Sequence, residues 1–241
     1  MAILELQRIH KRFGGLVAVD DFDMAAEDGE IVGLIGPNGA GKTTVFNMVA
    51  GFYHPDSGRV LFQGRDLTGL KPYQICALGI ARTFQVTRPF ADITVFENVM
   101  VGAYGRARST REARRKTLEV LQWVDFIDRR DVLAHELTTA DHKRLELARA
   151  LATEPKLLLL DEPMAGLNPT EKNHLLELLR NIRDRGVTLF VVEHDMKAVM
   201  SLCERITVMD RGKKLLEGSP EVVAHDPKAI SAYLGEEYVA T

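Results

Sequence analysis

The chain has 241 residues, of which 46% are hydrophobic and 27% are charged, and its formal net charge is −3 at pH 7. These fractions are typical of folded globular proteins and exclude a disordered chain. The slightly acidic balance also argues against a protein that binds nucleic acid through bulk positive charge.

The sequence has no apolar segment long enough to cross a membrane. Its longest uninterrupted apolar runs span only a few residues, such as 157–160, whereas a transmembrane helix needs about 20. Residues 1–13 are interrupted by charges and lack the apolar core of a secretory leader. We therefore expect a cytosolic chain that does not cross a membrane by itself. Cys76 and Cys203 are far apart and fit no metal-binding spacing, so reduced structural thiols are expected.

Four short apolar runs predict buried strands. Nearly continuous apolar runs are typical of strands that are covered on both faces of a parallel sheet. The second run is weaker than the others because Arg82 and Thr83 interrupt it. In chain order, the runs are 31–35, 79–84, 157–160 and 187–192.

A helix is predicted between the third and fourth runs. Asn168 can cap its start, Pro169 suits the first helical position, and Glu171 lies where the acid of a capping box belongs. Gly186 is suited to end the helix. The resulting strand–helix–strand unit predicts an α/β fold with a parallel sheet.

Two other segments differ from this pattern. Residues 88–150 hold few strand-like runs and many helix formers, with Leu118, Leu121 and Val124 at helical spacing, and predict a helical subdomain inserted into the α/β core. Residues 205–217 predict a hairpin around the turn 210–212. We expect residues 1–241 to form a single domain that contains this insertion.

A glycine-rich segment after the first run predicts a phosphate-binding loop. It matches the pattern G-x-x-x-x-G-K-[ST], follows a predicted strand and precedes a predicted helix. The glycines let backbone N–H groups turn towards phosphate oxygens, a lysine adds positive charge, and a hydroxyl can bind Mg²⁺. The segment comprises Gly36, Pro37, Asn38, Gly39, Ala40, Gly41, Lys42, Thr43 and Thr44.

Polar residues follow the other three runs. Asp161 and Glu162 end the third run, Gln85 follows the second, and Glu193 and His194 follow the fourth. In open α/β sheets, ligands bind at the carboxyl ends of the strands. We therefore expect Asp161 to hold Mg²⁺, directly or through water, and Glu162 to orient or deprotonate an attacking water.

The order of these motifs resembles that of the nucleotide-binding subunit of an ABC transporter, over nearly the whole chain. The chain also contains the segments FGGLVAVDDF, GIARTFQ, ENVMVG, DEPMAGLNP, EHDMKAVMSLCERI and AYLGEEY. With these segments it resembles the branched-chain amino acid importer ATPase with the longer C-terminal tail. The resemblance implies an α/β P-loop NTPase core with a parallel sheet, a small antiparallel β part and an inserted helical subdomain.

The resemblance implies ATP and Mg²⁺ as ligands and assigns a role to each matching position. Phe13 matches the aromatic that stacks on adenine, although a plain core aromatic is the alternative, and Val19 is expected to add apolar contact to the nucleotide. Lys42, Glu162 and His194 match catalytic positions. Thr43, Gln85 and Asp161 match the Mg²⁺ site. Asn168 lies where the family has the Asp or Asn of its dimer-contact loop. Gln85 also matches the nucleotide-sensing residue that couples to the permease.

One segment departs from the family pattern. The family's signature loop reads LSGGQ, whereas residues 137–141 read LTTAD, so that both glycines are missing and Asp141 brings a negative charge. A side chain in place of glycine restricts the backbone near a phosphate, and an acid there repels the phosphate unless it is turned away or neutralised. We predict a heterodimer with unequal ATP sites. The competent site would combine this chain's glycine-rich loop with the partner's signature loop, and the weak site would combine the partner's glycine-rich loop with residues 138–141. The alternative is that the loop adapts and both sites turn over ATP.

A run of basic residues precedes this segment. The simple interpretation is a solvated helix face, and the alternative is contact with anionic lipid headgroups. Nucleic acid is a weaker alternative because no aromatics are interleaved with the basic residues. The run comprises Arg106, Arg108, Arg111, Arg114, Arg115 and Lys116.

The resemblance implies a subunit that hydrolyses ATP to energise a membrane importer for branched-chain or related amino acids. Its expected partners are a second ATPase subunit (a different chain is favoured, a second copy possible), two permeases and, indirectly, an external solute-binding protein. The expected location is peripheral, on the cytoplasmic face of the plasma membrane. Nucleic acid is not expected as a partner. The alternatives are an ATPase for lipopolysaccharide export or for urea or amide import, a soluble ABC ATPase, and a regulatory nucleotide-binding module.

Overall fold

The computed structural model describes residues 1–83 and 89–234 of the chain. Two long strands open the chain, and strands and helices are interspersed from Ile31 onwards. The strands are β1 (Ala2–Phe13), β2 (Leu16–Glu27), β3 (Ile31–Ile35), β4 (Ser57–Phe62), β5 (Arg65–Asp66), β6 (Ile80–Arg82), β7 (Leu157–Asp161), β8 (Thr188–Val192), β9 (Arg205–Asp210) and β10 (Lys213–Gly218). The helices are α1 (Lys42–Val49), α2 (Pro72–Leu78), α3 (Val95–Tyr104), α4 (Thr110–Trp123), α5 (Thr139–Leu151), α6 (Pro169–Asp184), α7 (Met196–Leu202), α8 (Pro220–His225) and α9 (Pro227–Leu234).

The strands form two sheets. The first is antiparallel, with the order β2-β1-β4-β5, and the second has the order β10-β9-β3-β8-β7-β6. In the second sheet, β6, β7, β8, β3 and β9 are parallel, and β10 pairs antiparallel with β9. The predicted α/β fold with a parallel sheet, a small antiparallel part and a 205–217 hairpin is therefore confirmed.

The four predicted runs form strands in the parallel part of the second sheet. Every residue of β3, β7 and β8 is buried, as continuous apolar runs require. The run at 79–84 gives a strand of only three residues, Ile80–Arg82, because Gly79 adopts a left-handed conformation that caps the preceding helix. Phe84 lies outside the described residues.

The predicted helix punctuation at α6 is confirmed. The Asn168 side chain accepts a hydrogen bond from the Glu171 N–H at 3.0 Å, and the Glu171 carboxylate accepts one from the Asn168 N–H at 2.9 Å. This reciprocal pair is a capping box with Pro169 at the first helical position. Gly186, two residues beyond the last helical residue, has φ of +89° and ends the helix.

Residues 89–151 contain α3, α4 and α5, which pack against one another. Along α4 the buried positions are Ala113, Thr117, Val120 and Leu121. Leu118, one of the three leucine and valine positions noted at helical spacing, is 38% exposed because it lies off this stripe. Arg88, the first residue of the predicted subdomain, lies outside the described residues, and the subdomain bounds remain a prediction.

The core occupies both faces of the second sheet. Val32 and Leu34 of β3 point towards the antiparallel sheet and α1, whereas Ile31 and Ile35 point towards the helical side. This alternation is the period of two expected for a strand. Buried side chains on both faces fix the strand register, since a one-residue slip would exchange the faces.

Arg205 links segments that are far apart in sequence. Its guanidinium donates to both carboxylate oxygens of Glu30, at 2.9 and 2.7 Å, to the Ala25 carbonyl at 2.9 Å, and to Glu217. The hydrogen bond to Glu30 raises the pKa of Arg205 above its ordinary value. This cluster ties the end of β2 and the start of β3 to the hairpin of β9 and β10.

The side chains of the basic run contact different parts of the fold. Arg106 donates to the carbonyls of Cys76, Ala77 and Thr153, and the Arg114 guanidinium lies 5.2 Å from the centroid of the Phe96 ring. Lys116 pairs with Glu112 and Glu154, and Arg115 pairs with Glu119. Four of the six basic side chains therefore have partners within the fold, and contact with lipid headgroups stays a prediction. In the described ranges, no helix is long and apolar enough to span a membrane.

Candidate functional site

The glycine-rich loop connects β3 to α1 and is packed tightly on one side. Gly41 has φ of +108°, and a Cβ atom there would lie 2.3 Å from the Ala18 carbonyl oxygen, so only glycine fits. At Gly39, also at positive φ, an added Cβ would meet no atom within 4 Å. The loop thus has a packed side against β2 and an open side that can receive a ligand.

Lys42, the first residue of α1, turns back over the loop. Its ammonium donates to the carbonyls of Gly36, at 2.7 Å, and Pro37, at 3.0 Å. Burial lowers the pKa of Lys42, and the carboxylates of Glu162 and Asp161 oppose that shift. A mostly buried cation beside the open side of a glycine-rich loop suits a phosphate.

Asp161 is the last residue of β7 and is buried. Burial raises the pKa of its carboxyl group, and the Arg82 guanidinium, 4.0 Å away, opposes the shift. Asp161 and Thr43 line the same cleft, of about 700 Å³, between β6, α2, α3 and α5. A carboxylate and a hydroxyl are hard oxygen ligands, as Mg²⁺ prefers, and Mg²⁺ commonly completes its shell with water and substrate phosphates.

Glu162 and His194 are brought together from two strand ends. The His194 Nδ1 atom lies 3.6 Å from Glu162 Oε1, and the His194 side chain is 59% exposed. Glu162 has φ of +46°, and its N–H donates to the Val192 carbonyl at 2.9 Å. Lys143 of α5 donates to the Glu162 carbonyl at 3.3 Å. The Glu162 carboxylate is therefore carried by a backbone that three elements hold in place.

Phe13 lies at the end of β1 and is 41% exposed. Its ring meets the edge of Tyr53 with centroids 5.1 Å apart, and the Lys11 ammonium lies 5.6 Å from its centroid. The alternative interpretation of Phe13 as a core aromatic is therefore wrong. An aromatic ring with this exposure can stack on a planar ligand.

Val19 differs from the expectation. Its side chain is fully buried, with 0% exposure, in the core between the two sheets. Because β2 alternates its faces, Val19 points inwards and offers no surface to a nucleotide. The expected apolar contact of its side chain with a ligand is corrected to a role in the core.

The remaining positions of the loop are divided by exposure. Asn38, Gly39 and Thr43 are exposed, and Pro37 and Thr44 are half-buried. Ala40 is 2% exposed, and its carbonyl accepts from the Gly212 N–H at 2.8 Å, so it anchors the loop to the hairpin. Gln85 lies outside the described residues, and its expected place at the Mg²⁺ site stays a prediction.

Sequence reasoning did not select Arg82, Lys143 or Tyr53. Arg82 stacks between the rings of Phe46 and Phe52, at 4.9 and 4.8 Å, and donates to Asn47 at 2.9 Å. Arg82 interrupts a predicted strand, directly before the polar residue Thr83, and this position could have marked it as a candidate site residue. Lys143 and Tyr53 gave no comparable signal, because their contacts depend on tertiary packing.

The segment that departs from the signature pattern begins α5 and is capped by its own side chains. The Thr138 hydroxyl accepts from the Asp141 N–H at 3.2 Å and donates to the Asp141 carboxylate at 3.0 Å. Asp141 is thus turned back onto its own helix start. A helix N-terminus that already faces an internal carboxylate is a poorer site for a second anion.

The comparisons with known proteins agree with this geometry. The sequence model of the ABC transporter family matches residues 19–165, and that of the branched-chain amino acid ATP-binding cassette transporter family matches residues 213–239. The chain belongs to the ABC transporter family. As a member it binds and hydrolyses ATP.

Similar proteins span nearly the whole of this ABC ATPase. The high-affinity branched-chain amino acid transport ATP-binding protein LivG of Salmonella typhimurium is 41% identical over 252 residues, covering 97% of this chain and 98% of that protein. The lipopolysaccharide export system ATP-binding protein LptB of Acidithiobacillus ferridurans is 34% identical over 236 residues, covering 98% of each. A crystal structure of an ATP-binding cassette in its ADP conformation has a TM-score of 0.89 and 31% identity, covering 98% of this chain and all of that one.

Proposed function

We propose that this ABC ATPase energises a membrane importer for branched-chain or related amino acids. The observation that carries the proposal is the similarity to LivG over nearly the full length of both chains. The match of residues 213–239 to the branched-chain amino acid family adds support from the other end of the chain. The similarity to LptB is lower, at 34% identity, and makes lipopolysaccharide export the second candidate.

The phosphate groups of ATP would bind on the open side of the glycine-rich loop. Lys42 would exchange its two carbonyl contacts for phosphate oxygens, which are stronger partners for a cation. Thr43, Asp161 and Gln85 would hold Mg²⁺, which when bound neutralises charge on the phosphate oxygens. The partly exposed Phe13 ring would stack on adenine.

Glu162 would act as the general base in hydrolysis. Its carboxylate accepts a proton from, or orients, the attacking water, while His194 on the neighbouring strand end contacts the same group of reacting atoms. The 3.6 Å separation of the two side chains supports this division of roles. The exposure of His194 leaves its ring free to approach the terminal phosphate.

The assembly would contain two permeases and a second ATPase, at the cytoplasmic face of the plasma membrane, with an external solute-binding protein. The self-capped segment of Thr138 and Asp141 supports a second ATPase of different sequence. The site formed by this chain's glycine-rich loop would be the competent one, because it combines Lys42, Asp161, Glu162 and His194. The site formed by the partner's glycine-rich loop and residues 138–141 of this chain would be the weak one.

The partners can be identified by purification. The variant Glu162→Gln, held with ATP, is recovered from its own cell membranes in mild detergent, and the co-purifying chains are identified by mass. Two apolar permeases of an amino acid importer and a second ATPase with signature glycines are expected. Permeases for lipopolysaccharide would favour the second candidate, and recovery from the soluble fraction with ribosomal or DNA-bound proteins would overturn the transporter proposal.

The unequal sites are tested by ATP turnover of the assembled complex. Glu162→Gln should remove nearly all turnover, whereas Glu177→Gln, an exposed glutamate on α6, should leave it unchanged. If most turnover survives Glu162→Gln, the competent site is not the one that uses this chain's loop. A matching loss from the partner's equivalent substitution would indicate that both sites turn over.

A further inference from the structure

Glu193 follows β8 directly and carries a buried carboxylate to which the proposed chemistry gives no role. Its side chain is only 1% exposed. One oxygen accepts a hydrogen bond from the Met164 N–H at 2.8 Å. The other accepts from the N–H groups of His194, at 3.0 Å, and Asp195, at 3.3 Å.

The arrangement selects a carboxylate over any neutral side chain. A buried carboxylate is costly unless donors satisfy it, and here three backbone N–H groups supply them. Both oxygens accept, so an amide of the same shape would place an NH₂ group against at least one N–H donor. Glutamate is therefore matched to this site by its two acceptor oxygens and by its charge.

The three donors belong to two different loops. Met164 lies two residues beyond Glu162, in the loop 162–168 that leads into α6, whereas His194 and Asp195 form the loop between β8 and α7. The first turn of α6, which follows the loop 162–168, is also joined to the second loop, because Lys172 of α6 pairs with Asp195 at 2.5 Å. Asp195 in turn caps α7 by accepting from the Ala198 N–H at 3.2 Å.

We propose that Glu193 is a positioning residue that clasps the loop 162–168 to the loop 193–195. By fixing the backbone on both sides, it keeps the Glu162 carboxylate and the His194 ring facing each other. This inference rests on the proposed role of those two side chains in hydrolysis. It extends that role, because one buried side chain would fix the position of the two loops relative to each other.

The test compares Glu193→Gln with Val191→Ala in the full-length chain. Val191 lies two residues earlier, in β8, is buried to the same extent, and has no hydrogen-bonding side chain. Amide hydrogen exchange is measured on peptides that cover 162–168 and 193–196, without nucleotide. Glu193→Gln should speed exchange in both segments by about tenfold or more, whereas Val191→Ala should leave both unchanged.

The second readout is ATP turnover of the assembled complex. Because a small misplacement of reacting groups lowers the rate far more than ligand binding, kcat should fall by roughly 10- to 100-fold in Glu193→Gln, with KM for ATP little changed. Glu193→Asp, which keeps the charge on a shorter side chain, should give an intermediate kcat and stands in if Glu193→Gln does not fold.

Unchanged exchange in either loop, or a kcat within twofold of the wild type, would overturn the clasp. An equal loss of thermal stability in Glu193→Gln and Val191→Ala, with no difference in exchange or kcat, would leave Glu193 a merely structural residue and also overturn it. A wild-type complex without ATP turnover would instead defeat the proposed function, while the exchange measurement would still report on the clasp.

Discussion

Two residues of the β1–β2 hairpin have opposite environments, and the role proposed for each depends on its exposure. Phe13 exposes 41% of its surface, whereas Val19 exposes none. Both lie on long strands that flank the same tight turn. Resemblance alone places both beside the nucleotide, but the direction of each side chain decides which can touch it.

A matched pair of substitutions tests this division. Phe13→Ala should weaken the affinity for a fluorescent ATP analogue by roughly 10-fold, about the loss of one stacking contact, with little change in the free energy of unfolding. Val19→Ala should lower the free energy of unfolding by roughly 2 kcal/mol, because it removes buried methyl groups, and should leave the affinity unchanged. Urea unfolding and ligand titration measure the two effects. The reverse pattern would contradict the assignment.

At the scale of elements, long-range links hold the two sheets and the final hairpin together. Arg205 reaches Glu30 and the Ala25 carbonyl, about 175 to 180 positions away in sequence. It is less than one-third exposed, so its hydrogen bonds are only partly screened by water. One guanidinium therefore holds the start of β9 next to the end of β2.

Replacing Arg205 should destabilise the fold, because the variant loses these hydrogen bonds. Arg205→Ala should lower the free energy of unfolding by about 2 kcal/mol, because Glu30 and Glu217 lose charged partners. Arg111→Ala, at an exposed arginine of α4, should change it by less than about 0.5 kcal/mol. Urea denaturation of both variants measures the difference. Equal effects would show that the cluster adds nothing to stability.

The sequence predicted the elements whose signals are local. The apolar runs gave β3, β7 and β8, and the Asn168 capping box gave the start of α6, because strand burial and capping depend on adjacent residues. The proximity of Glu162 and His194 was predictable from the rule that ligands bind at the carboxyl ends of strands, since each residue follows a strand of the same sheet. The clasp of Glu193 and the Arg205 cluster were not predictable, since each joins loops or sheets that only tertiary packing brings together. The inward direction of Val19 was hidden for the same reason.

At the scale of the whole molecule, hydrogen-bonded carboxylates set the response to acid. In six carboxylates of the described residues, a hydrogen bond to the ionised form is the main cause of a pKa below the ordinary value. The partners include Lys213, Lys11 and Lys172. Burial raises the pKa of Asp161 in the opposite direction. The six are Asp20, Asp56, Asp66, Glu97, Glu112 and Asp195.

The direction of the acid effect follows from these shifts. A carboxyl group with a lowered pKa in the folded state stabilises the fold above the pKa of the unfolded chain, about 4, and this contribution is lost as the pH falls through the folded value. The urea midpoint should therefore be level near neutral pH and fall below about pH 4. Asp195→Asn should show a smaller fall than the wild type. A midpoint that rises on acidification would contradict the prediction.

The environments of the two thiols give this ATPase a built-in attachment point for a probe. Cys203 is buried, and burial raises the pKa of its thiol to about 12, so it stays protonated and unreactive at neutral pH. Cys76 is half-buried and lines the 700 Å³ cleft that also contains Thr43 and Asp161. A maleimide fluorophore should therefore modify the wild-type chain at Cys76 alone. No cysteine has to be added or removed to follow the cleft by fluorescence as nucleotide binds.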